Sequence, residues 1–203
     1  MGNAERIDSF EQNASAFRVS LFDDFAVSGI GLVFEQQAWG DGYKLVAGLD
    51  EVGRGCLAGP VVAAACILDP AKPFPDDLDD SKKLTETTRN EIAAQLKADC
   101  IAYAIGQVEA DEIDRINILE ATKQAMLNAI AALTKPPDFL LIDALYLKRS
   151  PLPQKSIIKG DSISASIAAA SILAKTYRDE LMKTYDLEYP QYGFAGHKGY
   201  GAA

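Results

Sequence analysis

The stretch from Lys44 to Leu68 constrains the fold most. KLVAGL, residues 44–49, is a short apolar run closed by two acids, Asp50 and Glu51. After Gly53-Arg54-Gly55 and Ala58-Gly59-Pro60 comes a second run, VVAAACIL, β-branched at its start. Each run is too short for a buried helix, and glycine and proline separate them. Two strands with a glycine-rich connection fit best.

The same alternation continues downstream. Thr85–Leu96 carries Ile92 and Leu96 four apart, with Thr85 at its start, and reads as a helix. Ala102–Val108 reads as a strand. Ala110–Leu133 has apolar residues at threes and fours until Pro136-Pro137, which predicts one long helix. PDFLLID, residues 137–143, reads as a buried strand, and Lys155–Ile158 as a short one. Gly160-Asp161 opens a helix with apolar positions at 163, 167, 170, 174, 177 and 181 on one face, and Asp161 is expected as its N-cap or first-turn acid. Strands interleaved with helices imply an α/β domain, a mixed sheet covered by helices. Residues 1–43 show no sustained period beyond a short helix over Asn13–Phe25, and are expected to be an N-terminal extension to a domain spanning 44–203.

The acids at the strand ends carry the chemistry. Asp50 and Glu51 close one apolar run and Asp143 closes another, and carboxylates there are costly unless something compensates them. If the two strands are parallel neighbours, Asp50 and Asp143 project from one sheet edge, and Asp161 reaches the same place from the start of its helix. Hard oxygen ligands suit Mg²⁺ or Mn²⁺, and two such ions clamp the attacking and leaving oxygens of a phosphodiester. Four carboxylates and two divalent ions cancel formally. Each acid also has a plainer reading: Asp161 as a helix cap, Asp50 and Asp143 as strand exits.

Charge is consistent with such a site. The 203 residues hold 20 Lys and Arg against 29 Asp and Glu, a net −9, which excludes a protein that coats nucleic acid through bulk positive charge. Residues 1–50 are acidic, whereas Lys148–Lys198 holds eight Lys/Arg against five Asp/Glu, so phosphate contacts are expected there. Cys56, Cys66 and Cys100 form no C-x-x-C pair, which points to a reducing compartment. No apolar stretch is long enough to span a bilayer and no leader is visible, so a cytoplasmic protein is expected.

Gly53 to Ala58 matches G-x-G-x-x-A, but a strand follows rather than a helix, so a dinucleotide site is excluded. The glycines instead permit either a tight turn or close backbone approach of a ligand beside the acids, with Arg54 available for phosphate. His197, the single histidine, supports neither a triad nor a zinc site. With Lys198, Gly199 and Tyr200 it reads as a loop offering a cation and an aromatic ring, the ring either stacking on a sugar or base or serving as an ordinary tyrosine.

Five segments in order, Gly48–Pro60 (GLDEVGRGCLAGP), Asp80–Leu84 (DSKKL), Leu141–Asp143, Lys159–Asp161 and His197–Tyr200, closely resemble bacterial ribonuclease HII, the type 2 ribonucleases H. The resemblance implies a ribonuclease H-like fold and an endonuclease that uses Mg²⁺ or Mn²⁺ to cut RNA in RNA–DNA hybrids. It also implies cutting 5′ to a lone ribonucleotide in duplex DNA, leaving 3′-hydroxyl and 5′-phosphate ends, the first step of ribonucleotide excision repair. By motif, Asp50, Glu51, Asp143 and Asp161 are the metal-holding catalytic acids. Gly53, Arg54 and Gly55 sense the 2′-hydroxyl, the group that distinguishes RNA from DNA. Tyr200 stacks on the neighbouring deoxyribose, and Ser81, Lys82, Lys159 and Lys198 contact the substrate. A monomer is implied, with RNA–DNA hybrid and ribonucleotide-containing duplex as partners and no membrane. Relatives continue past the terminal tyrosine, so the C-terminal helical segment is expected to be absent and Tyr200 poorly anchored; the alternative expectation is a hybrid-binding module with weakened or no catalysis.

Overall fold

The computed structural model describes residues 29–75, 78, 81 and 84–201. Among them, five strands form one sheet: β1 (Val46–Val52), β2 (Val61–Ile67), β3 (Ala102–Val108), β4 (Phe139–Asp143) and β5 (Gln154–Ile157). Their order is β3-β2-β1-β4-β5. β1 pairs antiparallel with β2, and β2 with β3, whereas β1–β4 and β4–β5 are parallel. The glycine-rich connection therefore joins two adjacent antiparallel strands, and the sheet is mixed.

Among the described residues, six helices surround it: α1 (Val33–Gly40), α2 (Glu86–Asp99), α3 (Ala110–Ile116), α4 (Ile118–Ala132), α5 (Ala165–Glu188) and α6 (Phe194–His197). Both faces of the central strands are covered, which is why β2 reads as an unbroken apolar run rather than an alternating one. Val61, Ala63, Ala65 and Ile67 pack with Ala121, Ala125 and Met126 of α4. Val62, Ala64 and Cys66 pack with Ala165, Ala168, Ala169 and Ile172 of α5 and with Ile92 and Leu96 of α2. Strand period assigns the acids: Ala47 and Leu49 of β1 belong to the α4 side, so Gly48 and Asp50 face α5, and on β4 Asp143 shares the parity of Leu141, which packs on Ile167 of α5.

Two helix expectations change. The long helix over 110–133 is broken at Asn117, whose φ of 70° no helix interior accommodates; its side chain accepts hydrogen bonds from Leu119 and Glu120 N–H and caps α4. The helix expected at Gly160 starts at Ala165 instead, with Ser164 as N-cap, its Oγ accepting from Ile167 N–H. Asp161 sits in a separate 3₁₀ turn, Gly160–Ser162, and is not the cap of α5. Thr85 does cap α2, accepting from Thr88 N–H at 3.2 Å. The three cysteines are free thiols. Among the described residues no helix is long and apolar enough to cross a membrane.

Candidate active site

The parallel pairing of β1 with β4 places Leu49 opposite Ile142, so Asp50 and Asp143 follow side by side at the same end of the sheet and on its α5 face. Asp50 is buried, 6% exposed. Burial, then the negative charge of Glu51, pushes its carboxyl well above the ordinary aspartate value; Asp143 adds to the rise, and a hydrogen bond with Ser171 of α5 opposes it. The Ser171 hydroxyl in turn lies 2.9 Å from that of Ser81, also buried. Ser81 is thus linked to Asp50 only through Ser171, from inside the fold. Its neighbour Lys82 lies outside the described residues.

Asp143 is tied to the turn that carries Asp161. Its Oδ1 accepts from Gly160 N–H at 2.7 Å. A side chain at 160 would meet Ile167 Cδ1 at 2.5 Å and press on the same Oδ1 at 3.4 Å, so glycine here lets the turn close on the acid. Lys159, exposed and with a φ of 56°, leads into this turn. The structure therefore brings Asp50, Glu51, Asp143 and the Asp161 turn to one edge of the sheet. As placed, no three His, Cys, Asp or Glu side chains among the described residues lie close enough together to grip an ion. The donor set nevertheless fits a hard divalent cation in kind: all four are carboxylates, and the repulsion that raises Asp50 is what positive charge would relieve.

Asp50 yields a pH dependence with a defined sign. The folded state holds its proton at pH values where the unfolded chain has lost it, so the contribution of Asp50 to stability is largest below the ordinary value of 3.8 and declines as pH rises toward the folded value. Thermal melts in chelator should show the wild-type protein losing stability relative to Asp50→Asn on raising the pH from 4 toward neutrality. Parallel curves for the two proteins would refute the shift.

The glycine loop divides into two kinds of position. Gly53 has φ +99°, and a Cβ there would lie 2.6 Å from both Arg178 Nε and Pro60 O, so the fold itself demands glycine. Gly55 is exposed, has no positive φ, and nothing lies within 4 Å of where its Cβ would stand. Arg54 is exposed and pairs with Glu51 at 3.7 Å, linking this loop to the acids.

Arg178 of α5, which sequence reading missed, holds the loop in place. It is fully buried and donates Nε to Pro60 O (2.9 Å), Nη2 to Ala58 O (2.9 Å) and Nη1 to Lys198 O (2.7 Å). Leu57 and Ala58 N–H both donate to Gly199 O, at 2.8 and 3.3 Å. Tyr200 is consequently anchored rather than loose, and lies beside the glycine loop with Lys175 Nζ 5.6 Å from its ring centre. Lys198 turns its ammonium back to Ala195 O within α6. Lys175 and Arg89 share Asp179, at 2.6 and 2.9 Å, and Arg89 also donates to Ser81 O. A signal for Arg178 existed: it lies four residues from both Ala174 and Met182, a cation on the buried stripe of an otherwise amphipathic helix.

Comparison with known proteins agrees with this arrangement. The family model for ribonuclease HII matches residues 47–203. A ribonuclease HII of Chlamydia caviae is 58% identical over 172 residues, covering 84% of this chain and 80% of its own length. One from Desulfitobacterium hafniense is 59% identical over 167 residues, covering 82% and 64%. Among solved structures, ribonuclease H2 from Pyrococcus horikoshii matches with a TM-score of 0.66 at 26% identity, covering 78% of this chain and 82% of that one. The ribonuclease HII of Archaeoglobus fulgidus, solved in complex with PCNA, matches at 0.62 and 25%, with the same coverage. The expected fold and resemblance are thus borne out, and the chain belongs to the ribonuclease HII family and is a ribonuclease H.

Proposed function

We propose that this chain is a divalent-metal-dependent endonuclease that cuts the RNA strand of RNA–DNA hybrids and the 5′ side of single ribonucleotides in duplex DNA, leaving 3′-hydroxyl and 5′-phosphate ends. The observation that carries the reading is the meeting of Asp50, Glu51, Asp143 and the Asp161 turn beside a glycine loop that is open to solvent at Gly55. Asp50, Glu51, Asp143 and Asp161 would hold Mg²⁺ or Mn²⁺, which supplies positive charge for the attacking and departing oxygens of the phosphodiester.

The chain's own residues do the rest. Buried Asp50 is oriented by Ser171, and Asp143 by Gly160 N–H, so two of the four carboxylates are fixed before substrate arrives. Arg54, paired with Glu51 in the free protein, is placed to exchange that partner for a substrate phosphate. The bare backbone at Gly55 admits a ribose 2′-hydroxyl, which requires no reading of base sequence. Tyr200 offers a ring for the adjacent deoxyribose, and Lys159 and Lys198 supply positive charge nearby. Location in the cytoplasm and a role in ribonucleotide repair follow from the same reading.

Gly55 provides the test. Because a Cβ there meets nothing in the protein, Gly55→Ala should leave the melting temperature unchanged. It should nevertheless lower kcat/KM on a duplex with one ribonucleotide about tenfold, the loss of roughly one close hydrogen-bonded contact. The assay maps the cut in Mg²⁺ and in Mn²⁺, with an all-DNA duplex and a chelated reaction as controls. Cleavage of the all-DNA duplex, or an unaffected Gly55→Ala variant, would sink the assignment of this loop to the 2′-hydroxyl.

A further inference from the structure

Glu35, in α1, is 1% exposed although it is ionisable and lies ahead of the residues spanned by the family match. Its Oε1 accepts three hydrogen bonds, all from the start of α5: Ser164 Oγ at 2.6 Å, Ser166 Oγ at 2.6 Å and Ser166 N–H at 2.9 Å. Oε2 is buried with no hydrogen-bond partner among the described residues. The carboxylate is thus committed to the N-terminus of a 24-residue helix, where backbone N–H groups and the helix dipole favour a negative charge.

The backbone beside it grips the same place. Gly31 forms a parallel bridge with Ser164; Gly31 N–H donates to Ile163 O at 3.3 Å, and Gly31 O accepts from Ala165 N–H at 2.9 Å. Phe34, next to Glu35, reaches a different element, its ring centre 5.1 Å from Lys155 Nζ of β5. Residues 31–35 therefore clasp the segment 163–166, immediately after the turn that carries Asp161. At its other end that turn is tied to Asp143 by Gly160 N–H, and Ser164 N–H closes it on Gly160 O at 2.8 Å.

We propose that Glu35 is a positioning residue for the metal site: with Gly31 it straps the Asp161 turn against α5 and sets how tightly the acids hold a divalent ion. The proposal rests on Asp161 and Asp143 being ligands. Groups that orient ligands from behind typically change metal affinity 10–100-fold when removed. A strap that merely stabilised the fold would lower the melting temperature and leave the affinity of the folded protein untouched.

The test uses the full chain and Mn²⁺ alone, with bound ion counted by electron paramagnetic resonance at a temperature where circular dichroism shows every variant folded. Glu35→Ala is expected to weaken Mn²⁺ binding about tenfold. Glu35→Gln retains an acceptor oxygen for Ser164 and Ser166 and should recover most of that loss. Ser166→Ala, which deletes one donor without emptying the site, serves if Glu35→Ala does not fold, and should weaken binding severalfold. Asp161→Asn reports on the underlying reading. If it leaves Mn²⁺ binding unchanged, Asp161 is not a ligand, and both that assignment and the strap fall. If it weakens binding while Glu35→Ala and Ser166→Ala bind as tightly as wild type, the ligand assignment stands and the strap proposal is overturned.

Discussion

Asp143→Asn is expected to lower kcat on a duplex containing one ribonucleotide by at least about 10³-fold, about 4 kcal/mol of transition-state stabilisation, without unfolding the protein. The substitution keeps the size of the side chain and one carbonyl-type oxygen, so the 2.7 Å hydrogen bond from Gly160 N–H can persist and the Asp161 turn stays in place. What it removes is one unit of negative charge from a set that repels itself. Asp143 is among the groups that raise Asp50, so its neutralisation should leave the metal-free protein as stable as wild type or slightly more so. Opposite signs for activity and stability are the signature of an acid kept for chemistry. Cleavage assays in Mg²⁺ and Mn²⁺, paired with melts in chelator, read both quantities. A variant with wild-type turnover would remove Asp143 from the metal site; one that unfolds would make it a structural residue.

Gly48→Ala should produce the largest loss of stability, about 3 kcal/mol or more in urea denaturation. An added Cβ would stand 2.1 Å from Ser166 C, 2.3 Å from Ser166 O and 2.5 Å from Ile167 N. All three are backbone atoms of α5, so no rotamer change relieves the clash and the helix must lift from the sheet. The same helix brings Ser171 to Asp50 and Arg178 to the glycine loop. Activity should therefore fall with stability, in contrast to Gly55→Ala, where only activity changes. An unchanged denaturation midpoint would mean that α5 does not approach β1 as closely as described.

Much of this site is legible in the sequence because strands have a period of two. Asp50 and Asp143 each end a run that had to be buried, and once β1 and β4 are parallel neighbours they must share an edge and a face. The break at Asn117 was hidden for the opposite reason: Ile113, Ile116 and Leu119 keep helical spacing straight through it, and only the tolerance of asparagine for a positive φ hints at the cap. The turn that carries Asp161 meets Asp143 through Gly160 N–H, but the start of its helix was misplaced, because the capping role fell to Ser164 three residues later. Glu35 could not be read at all. Its partners lie 129 and 131 residues away, and one acid in a short helix carries no local mark of burial. The anchoring of Tyr200 was invisible for the same reason, since it depends on Arg178 and on carbonyls scattered from Ala58 to Lys198.

The parallel pairing of β1 with β4 also orders events in time. Its strands meet 93 residues apart along the chain, whereas β1–β2 and β2–β3 are nearer in sequence. Distant pairings form late, because loop-closure entropy is spent before they return any contact energy. During synthesis, the three-stranded meander and α4 can assemble while Asp143 and Asp161 are still inside the ribosome. A nascent chain whose emerged part ends near Leu133 already displays Asp50, Glu51 and the glycine loop, while Asp143 and Asp161 are still to emerge. On the proposed reading, in which all four acids are needed, competence to cut would arrive only when the second half of the sheet docks, and an unfinished chain would not act on the nucleic acid around it.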